Sequence, residues 1–223
     1  MGKRMSLNVP YVAQPPNLGW CPAASAAMVL KWYGERISQE KIAKEMPVYK
    51  EGAELNKLGE YFIRKGYDVV IKFWLPGLRP SARGLSGDKG NSKLAKELLY
   101  GENQYQNQNT QILCGILAKF IESGGSVILE PPHLRDIQSE LARKRPIIFT
   151  IDANWLRKTG RVLSKHIVVV KGLRNFSRSR PGALPKIIIH DPSDRPNMIC
   201  RFDEFLYACY IGDGCAIFIK PRF

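Results

Sequence analysis

No run of apolar residues in this sequence approaches the ~20 that a membrane-spanning helix requires. The opening residues, MGKRMSLNVPY, bring two basic side chains with no apolar core behind them, so no secretory signal is expected there. Cysteine is sparse and unpatterned. The five, at 21, 114, 200, 209 and 215, form an odd set without CxxC spacing, which argues against a zinc centre and against a disulfide framework. Internal repeats are missing, as are helix-turn-helix, zinc-finger and RNP signatures. Histidine occurs three times in the whole chain. These absences leave a cytoplasmic protein without a membrane segment as the expectation.

Positive charge is abundant. Thirty-four Lys and Arg against 20 Asp and Glu give a net charge of +14, which leaves room for an anionic partner. The basic residues are scattered, with modest clusters at ARKR (142–145) and LRNFSRSRPG (173–182). Nucleic-acid binding is therefore disfavoured, although it remains a reading of a different class that salt-dependent affinity would reveal. At 223 residues, 44% hydrophobic and 24% charged, the chain is long enough to bury one sizeable core.

Read along the chain, apolar periodicity predicts helices over 22–33, 38–46, 53–65, 110–123, 133–143 and 203–210. Strands are expected at 67–73, 126–129, 146–152, 164–173, 186–191 and 214–220. Residues 74–110 are rich in Gly, Pro, Asn and Gln, ending in GENQYQNQNT. They read as a surface insertion with a short helix near 92–100. Helices come first and most strands later, an α+β plan expected to form a single domain over 1–223.

The stretch GWCPAASAAMVLKWYG, residues 19–34, has no charged residue between Cys21 and Leu30, so it reads as a buried helix. Pro22 suits its first turn and Gly34 its end. Cys21 then falls at the helix N-terminus, where unpaired N–H groups and the macrodipole favour an anion, and a thiol so placed ionises more readily. A buried structural cysteine is the plain alternative, and the other four cysteines, set in apolar patterns, fit it.

A nucleophilic thiolate needs an imidazole, and that imidazole needs an orienting acceptor. His133 follows Pro131-Pro132 at a helix start and reads as an exposed capping residue. His166 opens the run HIVVVKGL, and Asp191 closes KIIIHD. If these runs pair as an antiparallel hairpin with Gly172 opposite Lys186, His166 falls opposite Pro192, beside Asp191. A slip of register still leaves imidazole and carboxylate at the same end of the sheet. His190 should face the other side of the strand, because side chains alternate, and is kept as the alternative base. Gln14, in VPYVAQPPNLGWC, lies seven residues before Cys21. Its amide and the Cys21 N–H are candidate donors to an oxyanion.

The set VPYVAQ, WCPAASAAMVLKWYG, KHIVVVKGL and IIIHDPS resembles the papain-like cysteine peptidases of the C39-like group. Relatives in that group cleave double-glycine leader peptides beside export transporters. The resemblance covers the first 35 residues and roughly 140–220. It implies a papain-like fold, a helical N-terminal part packed on an antiparallel sheet, with the site in the cleft between. It also implies roles: Gln14 as the oxyanion residue, Cys21 the nucleophile, His166 the base and acid, Asp191 the orienter. The expected activity is cleavage of a peptide or related amide bond through a thioester acyl-enzyme, acting on a peptide or protein substrate with no metal or organic cofactor. Acyl transfer by the same residues and non-catalytic peptide binding on the same scaffold are the alternatives. One departure stands out: the group commonly carries glycine between cysteine and proline, whereas Pro22 follows Cys21 directly, removing an N–H from the helix start.

Overall fold

Short β-branched runs of the chain assemble into one eight-stranded sheet. The computed structural model describes residues 3–46, 55–74, 88–102, 108–159, 164–176, 184–193, 195–212 and 214–222. The strands are β1 (Lys3–Ser6), β2 (Tyr67–Phe73), β3 (Ser126–Ile128), β4 (Ile147–Asp152), β5 (Lys165–Phe176), β6 (Lys186–Asp191), β7 (Arg195–Arg201) and β8 (Cys215–Pro221). They lie side by side in the order β3-β2-β8-β4-β5-β6-β7, with β1 added along β5. Every pairing is antiparallel except β2 with β3.

The 12-residue β5 holds the sheet together. Its first half pairs with β4, from Asp152 opposite Lys165 to Ile147 opposite Val170, and its second half with β1. On its other edge Val169 lies opposite His190, and a bulge between Val170 and Gly172 shifts the register before Gly172 meets Ile188. Gly172 is required there. A Cβ at this position would lie 2.6 Å from the carbonyl oxygen of Met5, inside the backbone of β1.

The helices are α1 (Cys21–Trp32), α2 (Gln39–Glu45), α3 (Leu55–Arg64), α4 (Asp88–Glu102), α5 (Gln108–Glu122), α6 (Leu134–Ala142), α7 (Ala153–Arg157) and α8 (Phe202–Ile211). In α1 the ten residues from Cys21 to Leu30 are all buried. Alanine at 23, 24, 26 and 27, each fully inaccessible, lets the surrounding elements approach closely. Each added methylene there would cost about 1–3 kcal/mol in overpacking. Gly34, at φ 92°, turns the chain away after α1. The Tyr33 hydroxyl donates to Ile219 O (2.8 Å) and Trp32 Nε1 to Lys144 O (2.8 Å), tying the helix end to the sheet and to α6. Ser38 caps α2 by accepting the Lys41 N–H. On α8, Phe205 packs edge-on against Phe149 of β4, ring centroids 5.1 Å apart.

The α+β plan stands, with two refinements. The early strands β2 and β3 belong to the same sheet as the late ones, and β1, β7 and α7 are elements that periodicity did not anticipate. Of the segment 74–110, residues 75–87 and 103–107 lie outside the described residues. The helix expected near 92–100 is the longer α4, which buries Leu94 and Leu98. No helix among the described residues is long and apolar enough to cross a membrane.

Candidate active site

Cys21 is the first residue of α1, buried at 8% exposure and preceded by the N-cap Trp20. His166, near the start of β5 opposite Ile151, has Cys21 as one of the partners that raise its pKa, through hydrogen bonding and charge. On the far side of the imidazole, Nε2 meets Asp191 Oδ1 at 2.7 Å. A carboxylate can only accept, so Nε2 carries the proton and Nδ1 is the ring nitrogen left for Cys21.

Asp191 is itself fixed from three directions. The Ser193 N–H donates to Oδ1 (2.9 Å), the turn an Asp-Pro-Ser step favours. Arg157 donates from Nη2 to Oδ2 in an ion pair, with Asp191 only 3% exposed. The third hold is on its main chain, where the Tyr11 hydroxyl donates to Asp191 O at 3.0 Å. Arg157 ends α7, a helix set by Asp152, whose carboxylate accepts the N–H groups of Trp155 (2.6 Å) and Ser164 (3.0 Å).

These contacts decide the charges. Burial opposes an imidazolium at His166, but the hydrogen bonds to Asp191 and Cys21 outweigh it and push its pKa up to about 9. Burial likewise raises Asp191, yet His166, Arg157 and the Ser193 N–H hold its carboxyl well below the usual range. At neutral pH the site carries a carboxylate flanked by an imidazolium and a guanidinium.

Gln14 comes to the Asp191–Pro192 step through its backbone, its N–H donating to Pro192 O at 2.8 Å. Its amide Nε2 donates to Leu18 O at 3.4 Å, using one of two hydrogens, while Oε1 is buried with no partner. Asn17, at φ 59°, reverses the chain between Gln14 and Cys21.

The two other histidines are engaged elsewhere. His190 Nδ1 accepts the Asn197 N–H (3.1 Å) and Nε2 donates to Val9 O (3.0 Å), so both nitrogens are used in the neutral form. Burial drives its pKa down to about 4. His133 caps α6, its N–H donating to Asp136 Oδ2. All five cysteines are buried and none is in a disulfide, and burial pushes the Cys200 thiol up to about 12. Among the described residues no cluster of three or more His, Cys, Asp or Glu could hold a metal ion.

Sequence reasoning brought Cys21, His166, Asp191 and Gln14 forward, and the structure gathers the first three by side chain and the fourth by main chain. It did not find Arg157, Ser193 or Tyr11. The Asp-Pro-Ser turn was a usable signal for Ser193. For Arg157, in ANWLRK, no spacing pointed to Asp191, because the contact depends on how α7 leaves β4.

A helix with cysteine at its start, set beside a largely antiparallel sheet whose neighbouring strands carry histidine and aspartate, defines the papain-like α+β class. The sequence model of the Peptidase_C39 like family matches residues 6–215, and the chain belongs to that family. Among solved structures, a double-glycine-motif protease from an AMS/PCAT transporter, in complex with the leader peptide, is 18% identical. The match covers 97% of this chain and 94% of that one at a TM-score of 0.50, and at that identity the likeness concerns the fold. The peptidase domain of Streptococcus ComA, a bifunctional ABC transporter involved in a quorum-sensing pathway, is 15% identical, with 98% and 99% of the two chains covered and a TM-score of 0.49. No curated protein matches the chain.

Proposed function

We propose that the chain is a cysteine peptidase that cleaves a peptide bond through a thioester acyl-enzyme. The observation that carries this reading is His166, buried between Cys21 at a helix N-terminus and the Asp191 carboxylate. The Cys21 sulfur attacks the scissile carbonyl carbon, and the carbonyl π electrons move to oxygen. The Cys21 N–H and the second Nε2 hydrogen of Gln14 are the donors offered to that oxyanion. When the C–N bond breaks, the His166 imidazolium gives its proton to the departing amine. Water then attacks the thioester, His166 takes one of its protons, and the carboxylic acid leaves as the thiolate–imidazolium pair is restored. Asp191 keeps the imidazole in one tautomer and orientation throughout. Pro22 contributes no N–H, so the main-chain share of the oxyanion hole falls on Cys21.

The first substrate to try is a peptide bearing a double-glycine motif, since a protein of the same fold was solved with a leader peptide. Purified chain is incubated with such a peptide, and products are read by mass spectrometry. Cleavage that Cys21→Ala, His166→Ala and Asp191→Asn each abolish supports the reading. Release of product as an adduct of an added amine, with no free acid, would assign acyl transfer instead. Cleavage surviving in Cys21→Ala would overturn the proposed nucleophile.

A further inference from the structure

At the end of the sheet remote from Cys21, the strand register places four cations in one row. Arg4 of β1 lies opposite Arg174 of β5, Arg174 opposite Lys186 of β6, and Lys186 opposite Arg201 of β7. Residues directly opposite share a face of the sheet, and at about 4.8 Å per strand the row spans roughly 14 Å. Its neighbours in register, Met5, Leu173, Ile187 and Cys200, alternate to the other face, where the last three are buried. Arg4, Lys186 and Arg201 are exposed and Arg174 is half-buried.

Like charges directly opposite one another destabilise a sheet, and little here offsets them. Asp203 pairs with Arg201 through two hydrogen bonds, at 3.0 and 2.6 Å. Among the described residues no carboxylate meets Arg4, Arg174 or Lys186, and the Nε of Arg174 is buried without a partner. The field reaches inward as well. After burial itself, the Arg4 charge helps push down the pKa of Lys171, which lies 5% exposed with Asn197 Oδ1 on its ammonium at 2.8 Å.

Two exposed aliphatic side chains flank the row. Ile199, 41% exposed, neighbours Arg201 on the same face of β7, and Leu184, 50% exposed, lies two residues before Lys186. The exposed large aromatics Trp155, Tyr207 and Tyr210 belong to α7 and α8 instead. Cations with aliphatic flanks suit phosphate headgroups above acyl chains, whereas single-stranded nucleic acid would call for stacking rings in the row. We propose that this face docks the protein on an anionic lipid surface, with Arg4, Arg174 and Lys186 meeting lipid phosphates and Ile199 and Leu184 entering the interface. Arg174 is eight residues along β5 from His166, roughly 25 Å in extended chain, so docking leaves the Cys21 site open.

Co-sedimentation of the whole chain with phosphatidylcholine vesicles, with and without phosphatidylglycerol, tests this. Binding is expected only to the anionic vesicles and should weaken as salt is raised. Each cation removed should cost about fivefold in affinity, so Arg174→Gln with Lys186→Gln should lose roughly 25-fold. The remote pair Lys93→Gln with Lys96→Gln makes the same change in net charge and should bind like wild type. Ile199→Asn should weaken vesicle binding without reducing retention on double-stranded DNA. Removing like-charged neighbours relieves repulsion, so thermal melting should show the Arg174/Lys186 variant folded, and iodoacetamide labelling of Cys21 should be unchanged in it. Equal binding to neutral vesicles, equal losses in the two double variants, or binding to double-stranded DNA with none to anionic vesicles would each overturn the proposal. None of these outcomes bears on the peptidase reading, which stands or falls on Cys21.

Discussion

Alkylation of Cys21 tests the charge state of the site before any substrate is found. The perturbation is His166→Ala, and the readout is the iodoacetamide labelling rate of each cysteine, followed by peptide mapping between pH 6 and 10. In the wild-type protein His166 is held at about 9, so at pH 6 it is imidazolium. An imidazolium paired with the Cys21 sulfur would keep it reactive at that pH, so the rate should stay nearly flat until His166 itself titrates near pH 9. A free thiol near 8.5 is about 0.3% thiolate at pH 6 and about 97% at pH 10, which sets the scale for labelling once the imidazole is removed. The variant's rate should therefore climb about 300-fold across the range while the wild type changes by less than about tenfold. The slope is the safer comparison, because a thiolate stabilised by a cation is also less nucleophilic, which shrinks the difference at any single pH. Cys114 and Cys200, buried in apolar surroundings, serve as internal controls. A wild-type rate that rises tenfold per pH unit, or a Cys21 no faster than Cys114 at pH 6, would refute the ion pair.

Three further outcomes follow. Gln14→Ala should lower kcat for a cleaved peptide by about 10²–10³ with KM little changed, the usual loss of one oxyanion donor; steady-state kinetics decides it. Arg157→Met leaves one oxygen of the buried Asp191 without its cation, and denaturant titration should show a loss of about 1–3 kcal/mol. Stability should peak between two histidine limbs in melting curves taken across pH. His166, raised from 6.5 to about 9, contributes stability that is full below pH 6.5 and lost as pH rises through 9. His190, lowered to about 4, is a base kept neutral, so its share is full above pH 6.5 and lost as pH falls through 4. His166→Ala should flatten the alkaline limb, while the His190 share of the acid limb stays.

Which parts of this arrangement were legible beforehand follows from where the determining contacts lie. The α1 helix and its cysteine were readable because a charge-free run with Pro at its start and Gly at its end is a local pattern. The pairing of 164–173 with 186–191 was readable from two β-branched runs, and it placed His166 and Asp191 at one end of the sheet. The assumed register was not the one found: Gly172 meets Ile188, not Lys186. The bulge between Val170 and Gly172 sets it, and it answers to β1, whose contribution a four-residue polar strand gives no periodicity to announce. β7 was hidden for a related reason. Only Cys200 among its seven residues is buried, so it lacks the apolar alternation by which a strand is recognised. Arg157 and the cation row are products of tertiary placement, visible only once strands have neighbours.

Register is also what decides which residue orients His166. Side chains alternate along a strand, so a slip of one residue between β5 and β6 would put His190 where Asp191 stands. Three connections on the N-terminal segment oppose that slip. Leu7 N–H donates to Lys171 O (2.8 Å) at the bulge, Val9 O accepts from His190, and the Tyr11 hydroxyl donates to Asp191 O. The next link in the same strap is Gln14 N–H on Pro192 O. One segment therefore locks the β6 end in register and carries the proposed oxyanion residue to it. Its course depends on Gly172, since a side chain there would meet the Met5 carbonyl and drive β1 outward. The carboxylate and the amide are thus held by one N-terminal strap, although about 180 residues of chain separate the partners of its hydrogen bonds.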